Sequence, residues 1–188
     1  MGPHKLADTL SISMQEAEEL FKLYAESFPA LNNWLDKQAQ SAVDNGYSLT
    51  FAPCKRRRYY PEVNTLRELQ ELSRNKRLDL NEWKLQRQIE GQIRRNGMNM
   101  PIQGSGADIC KEALIVVRDL ILSYNKKYNE NVAYLICTVH DAIDVEVRED
   151  LVKDFGDKMC ELMIKVGNKY INRVSMAVDL TCTKEWCK

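Results

Sequence analysis

Residues 135–147, LICTVHDAIDVEV, constrain this chain more than any other stretch. Two β-type apolar runs meet at His140-Asp141, a charged pair standing where the pattern demands a turn. Runs that apolar must pack into a core, so they predict a hairpin. Its second strand would point Ile143, Val145 and Val147 inward and Asp144, Glu146 and Arg148 outward. An acid at such a tip is held rigidly at a surface or cleft, which coordination of a cation requires. Asp is also a favoured turn residue, so for the pair alone an ordinary hairpin turn is the better reading.

Around the hairpin the chain reads in three blocks. The first, Ser13 to about Asp44, is helical: Ser13 and Glu16 make a capping box, and Ala17, Leu20, Phe21 and Tyr24 recur with helical spacing. Pro29 predicts a break, after which Leu31, Trp34, Leu35 and Ala39 mark a second helix closed at Asn45-Gly46. The second block opens with the β-like piece YSLTF and a basic cluster. From Asn64 to Glu90 it becomes highly charged with scattered apolar anchors, which predicts an exposed helical excursion rather than core.

The third block, from about Met98, holds most of the expected core. A long amphipathic helix after Gly106 carries Ala107, Cys110, Leu114, Val117, Ile121 and Tyr124. The hairpin follows, then a helix from near Asp150 to Val166, then VSMAVDL, read as a last strand of the same sheet. Helices packed on one face of a small antiparallel sheet make this an α+β fold.

Charge is balanced overall but unevenly distributed. Lys55 to Arg95 carries 12 Lys and Arg against 6 Asp and Glu. Most of that excess suits a solvated helix face. Lys55-Arg56-Arg57-Arg58 beside Tyr59 and Tyr60 also suits a phosphate backbone, where neutralisation releases counterions. The six cysteines form no CxxC pair and have no His at ligand spacing, so neither a zinc site nor a disulfide framework is expected. No apolar run is long enough to span a membrane and no signal-peptide pattern opens the chain, so a cytoplasmic setting is expected.

Before the long helix stands RRNGMNMPIQGSGAD, residues 94–108. Pro101 can start a segment without wasting a backbone donor, and Gly104 and Gly106 let another backbone come close. Arg95, Asn99 and Gln103 lie four apart and share a face if the segment is helical. Amides and a guanidinium on one face can meet minor-groove acceptors, which occupy similar positions in every base pair and so report duplex geometry.

Asn99-x-Pro101-x-Gln103-Gly104-x-x-Ala107-Asp108-x-x-Lys111, followed by Val139-His140-Asp141, resembles the C-terminal part of a family A (DNA polymerase I-like) DNA polymerase. Residues 5–50 resemble the family's fingers segment, Arg56-Arg57-Arg58-x-x-Pro61 its Arg-rich turn, and Trp186 a tryptophan near its C-terminus. Two origins fit: one half of a split polymerase, a phage enzyme being one candidate source, or a fragment of a longer frame. The resemblance implies a partial fingers subdomain over 1–97, with the charged excursion at about 64–90, and a partial palm over 98–188. The palm sheet would comprise the hairpin and the C-terminal strand, packed on long helices.

By position, Asp141 would be one of two aspartates holding a pair of catalytic Mg²⁺ ions, with His140 near the primer terminus. Arg95, Asn99 and Gln103 would touch primer–template DNA. Arg56, Arg57 and Arg58 would make backbone contacts or internal salt bridges.

Two departures qualify the match. Ala142 stands where the family usually has an acid. The other metal-binding aspartate and the helix that grips the dNTP correspond to positions before Met1. The expectation is therefore an isolated chain that is inactive and a partner polypeptide supplying the missing half. A non-catalytic nucleic-acid-binding or regulatory module derived from a polymerase is the alternative. A phage-type single-subunit RNA polymerase shares the His-Asp hairpin but fits NMPIQG less well.

Overall fold

A computed structural model describes residues 2–75, 77–171 and 173–185. In chain order the helices α1 (Pro3–Leu10), α2 (Met14–Ser27) and α3 (Pro29–Asn45) come first. A two-stranded sheet, β1 (Tyr47–Leu49) and β2 (Arg57–Tyr59), follows, and then α4 (Val63–Arg74) and α5 (Leu80–Asn99). A π-turn, Met100–Gly104, precedes α6 (Ser105–Tyr128). The antiparallel hairpin β3 (Ala133–Val139) and β4 (Ala142–Val147) and helix α7 (Val152–Tyr170) complete the order. The fold class is α+β, as the sequence predicts.

These elements form two compact units. The first takes residues up to Ser48 with Tyr59–Met98, and the second takes Leu49–Arg58 with residues from Asn99 on.

In the first unit the local signals act as read. The Ser13 hydroxyl accepts from the Glu16 N–H at 3.2 Å while Glu16 accepts from the Ser13 N–H at 2.9 Å, the reciprocal capping box. Pro29 opens α3 without costing it a donor that the first turn would have used. Gly46 ends α3 at φ 74°, a left-handed value that costs glycine least. The unit's core is Ala42, Val43, Tyr60, Val63, Leu66 and Ile93.

That core corrects the reading of residues 64–90 as exposed. Leu66 and Leu69 sit on the inward stripe of α4 and are buried; only further along are Leu80, Trp83 and Leu85 exposed. The charges around Leu66 and Leu69 occupy the opposite helix face, so composition alone masked these two core positions.

The second unit is built on α6 and α7. Val117, Ile121 and Tyr124 of α6 pack with Leu151, Phe155, Met159 and Val166, and with Val132, Ala133 and Ile143 of the hairpin region. Asn125 stitches α6 to the start of β3: its amide oxygen accepts from Val132 and Ala133 N–H at 2.8 and 3.0 Å, and its amide donates to the Ala133 carbonyl.

Residues 174–180 form no strand, contrary to the sequence expectation. They run along α7 instead. A Cβ added to Gly156 would lie 2.8 Å from Leu180 Cδ2, and one added to Gly167 would lie 2.5 Å from Met176 Cε. Two glycines eleven residues apart, about three helical turns, make a shallow groove on one face of α7. The Met176 N–H donates to Asn168 Oδ1 at 3.2 Å. Side-chain docking into that groove outcompetes a strand ladder for this segment. Trp186, part of the sequence resemblance, lies outside the described residues.

Candidate metal-holding turn and nucleic-acid interface

β3 and β4 pair antiparallel with a register shift between Leu135 and Cys137, and Val139 stands opposite Ala142, which leaves His140-Asp141 as a two-residue loop. His140 has φ 57° and Asp141 is not left-handed, the sign pattern of a II′ turn, whose first position glycine normally takes. A non-glycine residue there costs of order 1–3 kcal/mol, a strain that tends to persist at functional sites.

Both side chains are exposed, and the Asp141 carboxylate has no hydrogen-bond or ion-pair partner among the described residues. The turn is nevertheless anchored, because the Cys110 thiol of α6 donates to the His140 carbonyl at 3.7 Å. Asp144, three residues past Asp141 on β4, is occupied: its Oδ2 accepts from the Cys137 thiol at 3.1 Å. That bond to a carboxylate pushes the Cys137 thiol above its ordinary value.

At Pro101 the structure departs from the expected helix start. Asn99, Gly104 and Ser105 all hold right-handed helical dihedrals, so the backbone continues as helix through the proline. Proline inside an α-helix would clash with the carbonyl four residues back and lack its own donor. A π-turn widens the backbone there and absorbs both problems. Asn99 precedes this turn and Gln103 lies within it, and both are exposed, while Met100, Pro101 and Gly104 are buried. Arg95, on α5, is also exposed and belongs to the first unit.

Of the arginine run, Arg56 is committed within the chain. Its Nε donates to Asp108 Oδ1 at 2.8 Å and its Nη2 to the Gly104 carbonyl at 3.3 Å. The Arg56 side chain is 41% exposed and that of Asp108 only 4%. Arg57 and Arg58 lie exposed on β2.

Burial alone would raise the Asp108 carboxyl, but the neighbouring Thr50 hydroxyl and the Arg56 guanidinium hold it below the ordinary value. A depressed carboxyl stabilises the fold above its unfolded-state pKa and loses that contribution as pH falls through its folded one. Asp108→Asn should therefore lower the urea midpoint at pH 7 and narrow its deficit against wild type by pH 3.

In the linear sequence Asp108 stands only as part of a pattern, and Ser105 and Thr50 carry no local mark. Ser105 and Asp108 are both buried on α6, and Thr50 is buried too. A buried acid on a helix's inward face was the available signal, since it needs a partner. The partner itself lay 52 residues away and was not legible.

Among the described residues no group of three or more His, Cys, Asp or Glu is placed to hold a metal ion. Asp141 fits as one oxygen ligand of a Mg²⁺ shell, which usually keeps several waters. The residues present do not fit a two-ion site by themselves. No described helix is long and apolar enough to cross a membrane.

An α+β chain with an acid at a hairpin tip and exposed amides at a π-turn is what the sequence resemblance to the polymerase class implies. The pattern of DNA polymerase family A matches residues 1–188, and the chain belongs to that family. It is 31% identical over 187 residues to DNA polymerase I of Bacillus caldotenax, covering 99% of this chain and 18% of that protein. It is 34% identical over 151 residues to DNA polymerase I of Streptococcus pneumoniae serotype 4, covering 79% of this chain and 14% of that protein. Its fold matches the POL domain of Pol1 from M. smegmatis in complex with DNA primer-template and dNTP. That match has a TM-score of 0.66 at 28% identity and covers 88% of this chain and 24% of the other. The chain thus spans about a fifth of the length of the curated relatives it matches.

Proposed function

We propose that this chain is the part of a DNA-directed DNA polymerase that grips primer–template near the growing end and supplies one ligand of the catalytic Mg²⁺ pair. The observation that carries this reading is Asp141: an unpartnered carboxylate, on a strained turn, anchored to α6 through Cys110. Asn99 and Gln103, with Arg95, offer exposed donors of the kind that meet minor-groove acceptors. Exposed Arg57 and Arg58 would add phosphate contacts. Arg56, tied to Asp108, would act from within the fold.

A second carboxylate and the groups that bind dNTP would come from polypeptide outside these residues. Leu135, Ile136 and Val139 of β3 are exposed large apolar side chains, which suits a strand covered by further polypeptide. The nucleotidyl transfer belongs to that assembly, the isolated chain being inactive, and its setting is cytoplasmic.

Ala142, exposed beside the turn, favours a second reading: a duplex-binding module that has lost the chemistry. Primer extension separates the two. The chain, supplied with a polypeptide carrying the remainder of a family A polymerase domain, should extend a primer in Mg²⁺ and stop in EDTA. Duplex binding with no extension in any such combination supports the second reading and sinks the first.

A further inference from the structure

A π-turn is less favourable than the α-helix on either side of it and persists where something holds it. Pro101 explains why the backbone opens, because its missing N–H removes one helical bond. It does not explain what keeps the opened turn in one shape.

The segment Leu49–Arg58, in the same unit, meets the turn at several points. Arg56 Nη2 donates to the Gly104 carbonyl, and Arg56 Nε grips buried Asp108 one turn into α6. The Ser105 hydroxyl donates to the Pro101 carbonyl and accepts from the Phe51 N–H at 2.8 Å. Arg56 is itself fixed, since its N–H donates to Thr50 Oγ1 at 2.9 Å. The fit leaves no slack: a Cβ on Gly104 would lie 2.7 Å from Thr50 Cγ2 and 2.8 Å from Met100 Cε.

We propose that Arg56, Asp108 and Ser105 form a latch that holds the π-turn open and thereby sets the spacing of Asn99 and Gln103 along the DNA. They are positioning residues and need not touch DNA. The inference rests on the reading that Asn99 and Gln103 contact the duplex. Its structural half, the stabilised π-turn, can be measured without DNA.

The same α6 start also carries Cys110, five residues and about 7 Å along the axis from Ser105. A latch that fixes the start of α6 therefore also bears on the His140-Asp141 tip that Cys110 anchors.

The test uses the full chain and a fluorescent primer–template hairpin. Gln103→Ala should weaken binding about 3- to 10-fold, the worth of one hydrogen bond. Asp108→Asn is the decisive variant, because its two consequences have opposite signs. Removing a negative charge strengthens DNA binding on electrostatics alone, whereas releasing the latch weakens it. Weakening by a factor close to that of Gln103→Ala is expected. The double variant Asp108→Asn/Gln103→Ala should be scarcely weaker than either single one, because both lose the same contact.

Ser105→Ala should behave like Asp108→Asn and Ser105→Thr, which keeps the hydroxyl, like wild type. Hydrogen exchange at the amides of residues 103–107 should rise in Asp108→Asn and Ser105→Ala while β3–β4 amides stay protected.

Unchanged or tighter binding in Asp108→Asn, with Gln103→Ala weakened, overturns the latch. Unchanged exchange at 103–107 also overturns it. If Asn99→Ala and Gln103→Ala both bind as wild type, the duplex-contact reading fails, and the exchange result still decides whether the turn is latched. Should Asp108→Asn not fold, the Ser105→Ala and Ser105→Thr pair carries the same comparison.

Discussion

Asp141→Ala should abolish Mg²⁺-dependent primer extension in the complemented polymerase while leaving the fold and duplex affinity nearly untouched. The size of the loss follows from what the side chain touches. Asp141 is exposed at the hairpin tip and makes no bond to the described residues, so nothing structural depends on its carboxylate. The tip is held by the β3–β4 register and by Cys110 through the His140 backbone carbonyl, and neither involves the Asp141 side chain.

If the carboxylate ligates Mg²⁺, its removal takes away an inner-shell oxygen. Even partners one shell further out are commonly worth 10- to 100-fold, so a loss beyond about a hundredfold is expected. Steady-state extension rates measure it, with thermal melting and DNA anisotropy as controls. Asp141→Asn, which keeps the shape and removes the charge, should lose nearly as much. Extension at the wild-type rate in either variant would remove Asp141 from the reaction.

The largest stability effect should come from Phe155→Ala. Phe155 is 1% exposed at the centre of the second unit's core. Its ring meets Tyr124 edge-on, with centroids 5.1 Å apart and planes at 77°. Tyr124 is in turn tied at its hydroxyl, donating to Asp154 and accepting from Lys158 Nζ at 2.9 Å. Truncation leaves a cavity under a ring that cannot swing in to fill it, because those polar contacts hold it. A cost of about 3–5 kcal/mol is expected, at the value typical for a buried Phe.

Urea unfolding should show a large drop in midpoint. Ile136→Ala, on an exposed position of β3, should change the stability of this chain by no more than about 0.5 kcal/mol. The contrast is informative about function. An apolar strand face that contributes nothing to this chain's own stability is available to further polypeptide, and Ile136→Ala should instead weaken association with it.

Much of this architecture was legible in the linear order of residues, where the determining interactions are local. The capping box needs only residues three apart, and Gly46 needs only its own backbone freedom. The hairpin needs two apolar runs and a two-residue gap, and His140-Asp141 falls in that gap. The spacing of Arg95, Asn99 and Gln103 was likewise visible, as were the motifs that place the chain in family A.

Tertiary structure decided what depends on partners distant in sequence. Residues 174–180 have strand-like composition, yet they dock on glycines of α7, a choice made by shape complementarity rather than propensity. Leu66 sits in a charged stretch and is core because α3, Tyr60 and Ile93 offer it a surface. Pro101 looked like a helix start, and the buried packing of Met100, Pro101 and Gly104 made it the middle of a widened turn. Arg56 looked like one cation among four and is the one paired with Asp108, 52 residues away. Sequence by itself determined the family, the turn that presents Asp141 and the ends of α2 and α3, because these rest on covalent neighbours and helical periodicity. Only the folded chain decided which charges are spent internally and which stay exposed, because burial and pairing are set by what long-range packing brings together.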